Sequence, residues 1–265
     1  MLSYPQINPI ALSLGPLKIH WYGLMYLLGF ISAFILGSLR AKKPWQRGIT
    51  NSDLVSEGLL FGALGVILGG RLGYVLFYNF SYYLSDPKEI FYLWDGGMSF
   101  HGGLLGVLIF SWIFAKKNKL KFFDITDFYA PLVPIGLGAG RLGNFINGEL
   151  FGRVTNSPIG MIFPNGGPYP RYPSQLFEFL GEGVLLFLIL FIYSRKLRPR
   201  MEVSGLFLVL YGLIRFFIEF FREPDIQKGF YLNIFTMGQL LCIPMIITGV
   251  LIIYWARKNR VKSGD

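Results

Sequence analysis

PSQLFEFLGEGVLLFLILFIY, residues 173–193, is an almost unbroken apolar block whose only charged side chains, Glu178 and Glu182, both lie in its first half. About 20 such residues, rising 1.5 Å each, cross roughly 30 Å of hydrocarbon. The apolar side chains fill the run instead of recurring with the 3.6-residue period of a half-buried helix. Similar blocks lie near 18–39, 53–78, 96–115, 124–147, 203–221 and 234–256. Over the whole chain of 265 residues, 53% are apolar and 17% aromatic, and only 15% are charged. A soluble domain averages about 25% charged. The sequence therefore reads as an all-α integral membrane protein with about seven transmembrane helices. It forms a single polytopic domain over 1–265, because it holds no linker long enough to separate one domain from another.

A net charge of +10 at pH 7 raises the question of a nucleic-acid partner, and the positions of the charges answer it. Basic residues gather as Arg40, Lys42, Lys43 and Arg47; as Lys116, Lys117, Lys119 and Lys121; as Arg195, Lys196, Arg198 and Arg200; and as Arg257, Lys258, Arg260 and Lys262. Each cluster follows an odd-numbered span, and the loops between are nearly neutral. The positive-inside rule places these segments in the cytoplasm, with the N-terminus outside and the C-terminus cytoplasmic. The clusters orient the chain, and no nucleic acid is implied. Residues 1–17 carry no charge, so the first span lacks the basic leader of a removable signal peptide. Cys242 is the single cysteine and there are two histidines, which make neither a disulfide nor a zinc constellation; no cofactor or metal is expected. The segment near 148–172 is rich in Gly and Pro and reads as extracytoplasmic turn structure, whether lid, platform or connection.

One string, GRLG, occurs twice, at 70–73 and 140–143. Arg71 follows Asp53, and Arg141 follows Asp124, by nearly the same number of residues. A helical rise puts each guanidinium about 26 Å along its span, near the outer interface. The matching depth suggests a shared role. Gly65, Gly69 and Gly73, and likewise Gly136, Gly140 and Asn144, follow i, i+4, i+8 spacing, which lets helix backbones approach closely in lipid.

Ionisable residues inside spans are costly and face a bundle interior, a cavity or each other. By the predicted topology Tyr22, Arg71, His101, Arg141, Glu178, Glu182, Arg215 and Glu219 all fall in the outer half of the bilayer. Arg215 and Glu219 share a helix face and can pair; Glu178 and Glu182 share one as like charges. Arg141, Asn144, Asn147 and Glu149 crowd into one or two turns, which asks for a polar ligand or a wet cleft. Arginine grips phosphate through a planar fork of donors, so a lipid phosphate is the natural ligand at this depth. Histidine is the side chain whose ordinary pKa suits proton transfer, although a structural hydrogen bond explains the lone His101 equally well.

The sequence resembles the bacterial phosphatidylglycerol–prolipoprotein diacylglyceryl transferases. The resemblance runs through HWYGLMYLLGF at 20–30, GGRLGYVLFYNF at 69–80, WDGGMSFHGGLLG at 94–106, GLGAGRLGNFINGELFGR at 136–153, PSQLFE at 173–178 and RFFIEFFREPD at 215–225. It implies transfer of the sn-1,2-diacylglyceryl group of phosphatidylglycerol to the thiol of a lipobox cysteine in a prolipoprotein signal peptide. Glycerol 1-phosphate is released, in the first step of lipoprotein maturation. It also implies a multi-pass enzyme of the bacterial cytoplasmic (inner) membrane, with its site facing the outer leaflet. By the same resemblance Arg141 and Arg215 contact the phospholipid, His101 and Tyr22 are needed for catalysis, and Asn144, Glu149, Gly152 and Glu219 shape the site. Phe177 departs from the pattern, where a tyrosine is common.

The residues agree with that chemistry. A free thiol has a pKa of about 8.5, so a base or a positive field helps the sulfur attack. Arginines on the departing phosphate stabilise its developing charge. Arg141 is the expected principal clamp and Arg215, steadied by Glu219, the second; Asn147 and Arg71 complete the expected binding set. His101 is the candidate base, the alternative being that arginines alone activate the thiol. Two other classes remain: a transporter built on the GRLG repeat, which would need polar residues reaching the cytoplasmic side, and a scaffold that binds lipid without chemistry.

Overall fold

In a computed structural model, which describes residues 2–224, 230–231 and 235–263, the chain is mostly helical. A hairpin of β1 (Ile10–Leu14) and β2 (Leu17–His20) leads into α1 (Trp21–Ala41) and then α2 (Ser52–Phe77). After α3 (Phe80–Ser85) and two 3₁₀ turns come α4 (Phe100–Lys117), α5 (Phe122–Tyr129) and α6 (Val133–Ile146). α7 (Ser174–Glu178) runs through a π-helical segment, Phe179–Leu185, into α8 (Leu186–Tyr193). α9 (Glu202–Ile218) precedes the short pair β3 (Phe230–Tyr231) and β4 (Phe235–Thr236), and α10 (Met237–Ser263) closes the chain.

Every predicted span contains helix. Among the described residues, four helical stretches are long and apolar enough to cross a membrane: Trp21–Ala41, Ser52–Phe77, Ser174–Tyr193 and Met237–Asn259. In the first, only 11% of the apolar window is buried, so α1 offers its side chains outward, as a lipid-facing helix does. The predicted span 124–147 is not one helix: it breaks between α5 and α6. Pro134, in the first turn of α6, has no N–H to continue the ladder and disfavours helix in the residue before it.

The helix starts follow capping chemistry. Asn51 accepts from the Leu54 amide at 2.8 Å and opens α2, with Asp53 in its first turn complementing the helix dipole. Ser99 caps α4 through the Gly102 amide at 3.2 Å.

The chain forms two compact units, residues 37–128 and the remainder. In the 37–128 unit, α2 and α4 pack backbone to backbone. A Cβ added at Gly65 would stand 2.7 Å from the Gly106 carbonyl, and one at Gly73 would stand 2.7 Å from Gly102 Cα. Gly65, Gly69 and Gly73 thus form the tight seam that their spacing predicts. In the other unit, the Gly- and Pro-rich segment is a small platform with its own core of Phe145, Met161 and Phe163, packed by Tyr4, Phe151 and Leu176. The Tyr4 hydroxyl donates to the carbonyls of Phe145 at 2.7 Å and Ile146 at 3.0 Å, which ties the N-terminal segment to the end of α6.

Candidate active site

The unit containing α6 to α10 brings three arginines and three glutamates together. Arg141 Nε lies 2.5 Å from Glu178 Oε2, and its Nη2 lies 3.5 Å from Glu182 Oε2. Arg215 reaches all three carboxylates: Glu178 Oε2 at 3.2 Å, Glu182 Oε1 at 3.2 Å and, one turn along its own helix, Glu219 Oε2 at 2.9 Å. Arg222 Nη1 stands 3.6 Å from Glu178 Oε1. Glu178, Glu182 and Glu219 are all buried. Buried ions of one sign demand partners of the other, and removing one partner typically costs about 3–5 kcal/mol.

Local sequence explains the alignment on α9. Arg215 and the C-cap residue Glu219 lie four positions apart, so one helix turn presents them to the same side. Glu219 is held at its other oxygen by the Thr236 hydroxyl, which donates at 3.1 Å. Gly238 makes room for it, because a Cβ there would lie 2.7 Å from the Glu219 carboxyl carbon. Arg222, beyond the helix end, is drawn below the ordinary arginine pKa by burial and then by the neighbouring positive charge of Arg215.

A second polar cluster is built around the C-terminal end of α6. Asn144 Nδ2 and Asn147 Nδ2 donate to Glu149 Oε1 at 2.9 and 3.2 Å. Gln175 Nε2 donates to the Glu149 main-chain carbonyl at 2.6 Å, joining this turn to the start of α7. The Tyr22 ring lies against Gly143, where a Cβ would come within 2.7 Å of it, and the Tyr22 hydroxyl shares a hydrogen bond with Tyr26 at 3.2 Å. Gly152 is a backbone crossing: its amide donates to the Tyr172 carbonyl at 2.8 Å, and any side chain would strike the Phe221 carbonyl. Phe177, the departure from the family pattern, packs with Tyr172 and Phe221 in an aromatic trio.

The sequence-predicted residues Arg141, Arg215, Glu219, Asn144, Asn147, Glu149, Gly152 and Tyr22 all belong to this unit. Arg71 and His101 belong to the other. Arg71 is buried, and its guanidinium donates to the main-chain carbonyls of Glu89 at 2.5 Å, Ile90 at 2.9 Å, Tyr92 at 3.1 Å and Gly97 at 3.3 Å, and to that of Gly96. It also lies 5.1 Å over the Tyr83 ring. The donors of Arg71 thus face main-chain carbonyls of the segment that follows α3, whereas those of Arg141 face carboxylates. His101 stands exposed in the first turn of α4, with its ring edge-on to Phe100. Among the described residues no side-chain hydrogen bond to its ring is seen.

Sequence reasoning missed Arg222, Gln175 and Thr236. Arg222 lies past the end of α9, where helical spacing no longer applies, and the partners of Gln175 and Thr236 lie on other elements.

A family model described as "Prolipoprotein diacylglyceryl transferase" matches residues 9–255. A protein of Francisella tularensis subsp. tularensis (strain FSC 198), named phosphatidylglycerol–prolipoprotein diacylglyceryl transferase, is 58% identical over 269 aligned residues, covering 99% of this chain and 100% of that protein. The protein of the same name from Francisella tularensis subsp. novicida (strain U112) is 59% identical with the same coverage.

Proposed function

The chain belongs to the prolipoprotein diacylglyceryl transferase family, and from that premise we infer that it moves the sn-1,2-diacylglyceryl group of phosphatidylglycerol onto the thiol of a prolipoprotein's lipobox cysteine, releasing glycerol 1-phosphate. The enzyme is a multi-pass membrane protein of the bacterial inner membrane and works on lipid of the outer leaflet.

The observation that carries this reading is the meeting of Arg141 and Arg215 over shared buried carboxylates. Arg141 is the principal phosphate clamp. Its Nε and Nη2 face Glu178 and Glu182, and among the described residues nothing accepts a hydrogen bond from its Nη1. Arg215, engaged by three carboxylates, is less free to turn and supplies a fixed positive field. In the reaction the cysteine sulfur forms a bond to the glyceryl carbon while that carbon's bond to the phosphate oxygen breaks. The bonding pair leaves on the phosphate, where preset guanidiniums are worth most. Asn144 and Asn147 fix Glu149, whose carboxylate suits the hydroxyls of a glycerol head group. His101 is retained as candidate base on its exposure and on the general capacity of imidazole to move protons near neutrality.

The test is purified protein in phosphatidylglycerol vesicles with a lipobox peptide, read by mass spectrometry. Thioether-linked diacylglyceryl peptide and glycerol 1-phosphate are expected in equal amounts. Folded protein that yields neither would sink the reading. Thiol-labelling of single-cysteine variants near Arg141 is expected to respond to impermeant reagents added from outside; labelling from the cytosol alone contradicts the outer-leaflet placement.

A further inference from the structure

Glu182 has no part in the chemistry described above, yet it touches both arginines on which that chemistry rests. Its two oxygens are divided between them. Oε1 accepts from Arg215 Nη1 at 3.2 Å and Oε2 from Arg141 Nη2 at 3.5 Å. Glu178 behaves differently: Arg141 and Arg215 both crowd its Oε2, at 2.5 and 3.2 Å, and neither of its oxygens receives an aligned hydrogen bond. Of these two carboxylates, Glu182 is the one that spans the gap with one oxygen for each guanidinium.

The backbone around it is pinned to the same two helices. Glu182 lies in the π-helical segment, between two glycines. A Cβ at Gly181 would fall 2.7 Å from Ile214 Cγ2 on α9, the helix that carries Arg215. A Cβ at Gly183 would fall 2.8 Å from Gly138 Cα on α6, the helix that carries Arg141. The glycines let the segment press on both helices at once, and the side chain between them is wholly buried, at 0% exposure. Such i→i+5 turns inside helices occur frequently at functional sites.

We propose that Glu182 is a positioning residue, a resident anion that holds Arg141 and Arg215 at the separation at which they take the two non-bridging oxygens of one phosphodiester. A carboxylate and a phosphodiester offer the same pair of acceptors to arginine. The lipid phosphate replaces Glu182 at Arg141, where the contact is longest, while Arg215 stays tied to Glu178 and Glu219. Glu182 thus competes with the lipid in the ground state and presets the clamp for the transition state. Interactions realised only in the transition state raise kcat, while loss of a ground-state competitor lowers KM. This inference rests on the transferase reading and deepens it.

The experiment compares wild type, Glu182→Gln and Glu182→Asp, each normalised to folded enzyme by its thermal melt in phosphatidylglycerol vesicles. The glutamine variant keeps the length but removes the competing charge. Its kcat is expected to fall by about tenfold or more, while KM for phosphatidylglycerol falls severalfold. The aspartate variant keeps the charge but loses the reach, so its kcat falls with KM unchanged. Wild-type kcat in the aspartate variant, or an unchanged or raised KM in a folded glutamine variant, overturns the proposal. If the glutamine variant does not fold, the aspartate arm decides alone. An inactive wild type counts against the transferase reading itself, whereas an active wild type with indifferent variants removes only the role of Glu182.

Discussion

The two GRLG segments share four letters and divide the work of arginine between them. Arg71, at 70–73, sits on a helix whose glycines are sealed against α4, and it spends its donors on neutral main-chain carbonyls of one loop. Arg141, at 140–143, sits on a helix where a Cβ at Gly140 would meet nothing within 4 Å, and it faces the carboxylates of Glu178 and Glu182. Carbonyls that belong to a loop cannot be exchanged without unmaking the loop. A carboxylate can yield its place to another anion. One motif thus gives its arginine neutral partners in one place and charged partners in the other.

The sharpest way to break this contrast is to remove each guanidinium. Arg141→Ala is expected to lower transfer by roughly 10³-fold, about 4 kcal/mol of transition-state stabilisation, in protein that still folds. Single-turnover assays on the folded fraction check this, and a loss below tenfold would make Arg141 no more than a spacer. Arg71→Lys loses a planar fork that a single ammonium cannot replace. A loss of about 3 kcal/mol is expected, read as a lower Tm and faster amide exchange across 89–97, with activity per folded molecule kept.

The glycines sharpen the comparison at smaller scale. Gly69→Ala drives a methyl into the Gly102 carbonyl and should cost about 1–3 kcal/mol in a thermal melt. Gly140→Ala meets open space and is expected to stay within about 0.5 kcal/mol of wild type. If the two alanines destabilise equally, the seam on α2 has no special standing.

Much of the helical layout was legible because apolar runs and local spacing carry it. The seven blocks each contain helix, and Arg215 and Glu219 pair at 2.9 Å as residues four apart on one helix face do. The break before α6 was written in Pro134 but hidden by the apolar run around it. The partners of Arg71 were not legible, since they lie in an irregular segment that no periodicity marks.

By itself the sequence determined that this chain forms apolar helices, where charge sits along them, and, through its motifs, which family it resembles. The tertiary structure alone decided who meets whom: Arg141 with Glu178 and Glu182, Gln175 with the turn at Glu149, and Arg71 with the carbonyls of 89–97. The reason is range. Helical geometry ties a residue only to neighbours three or four positions away. In lipid, apolar surface is equally at ease everywhere, so the choice of helix partners falls to close packing and buried polar contacts.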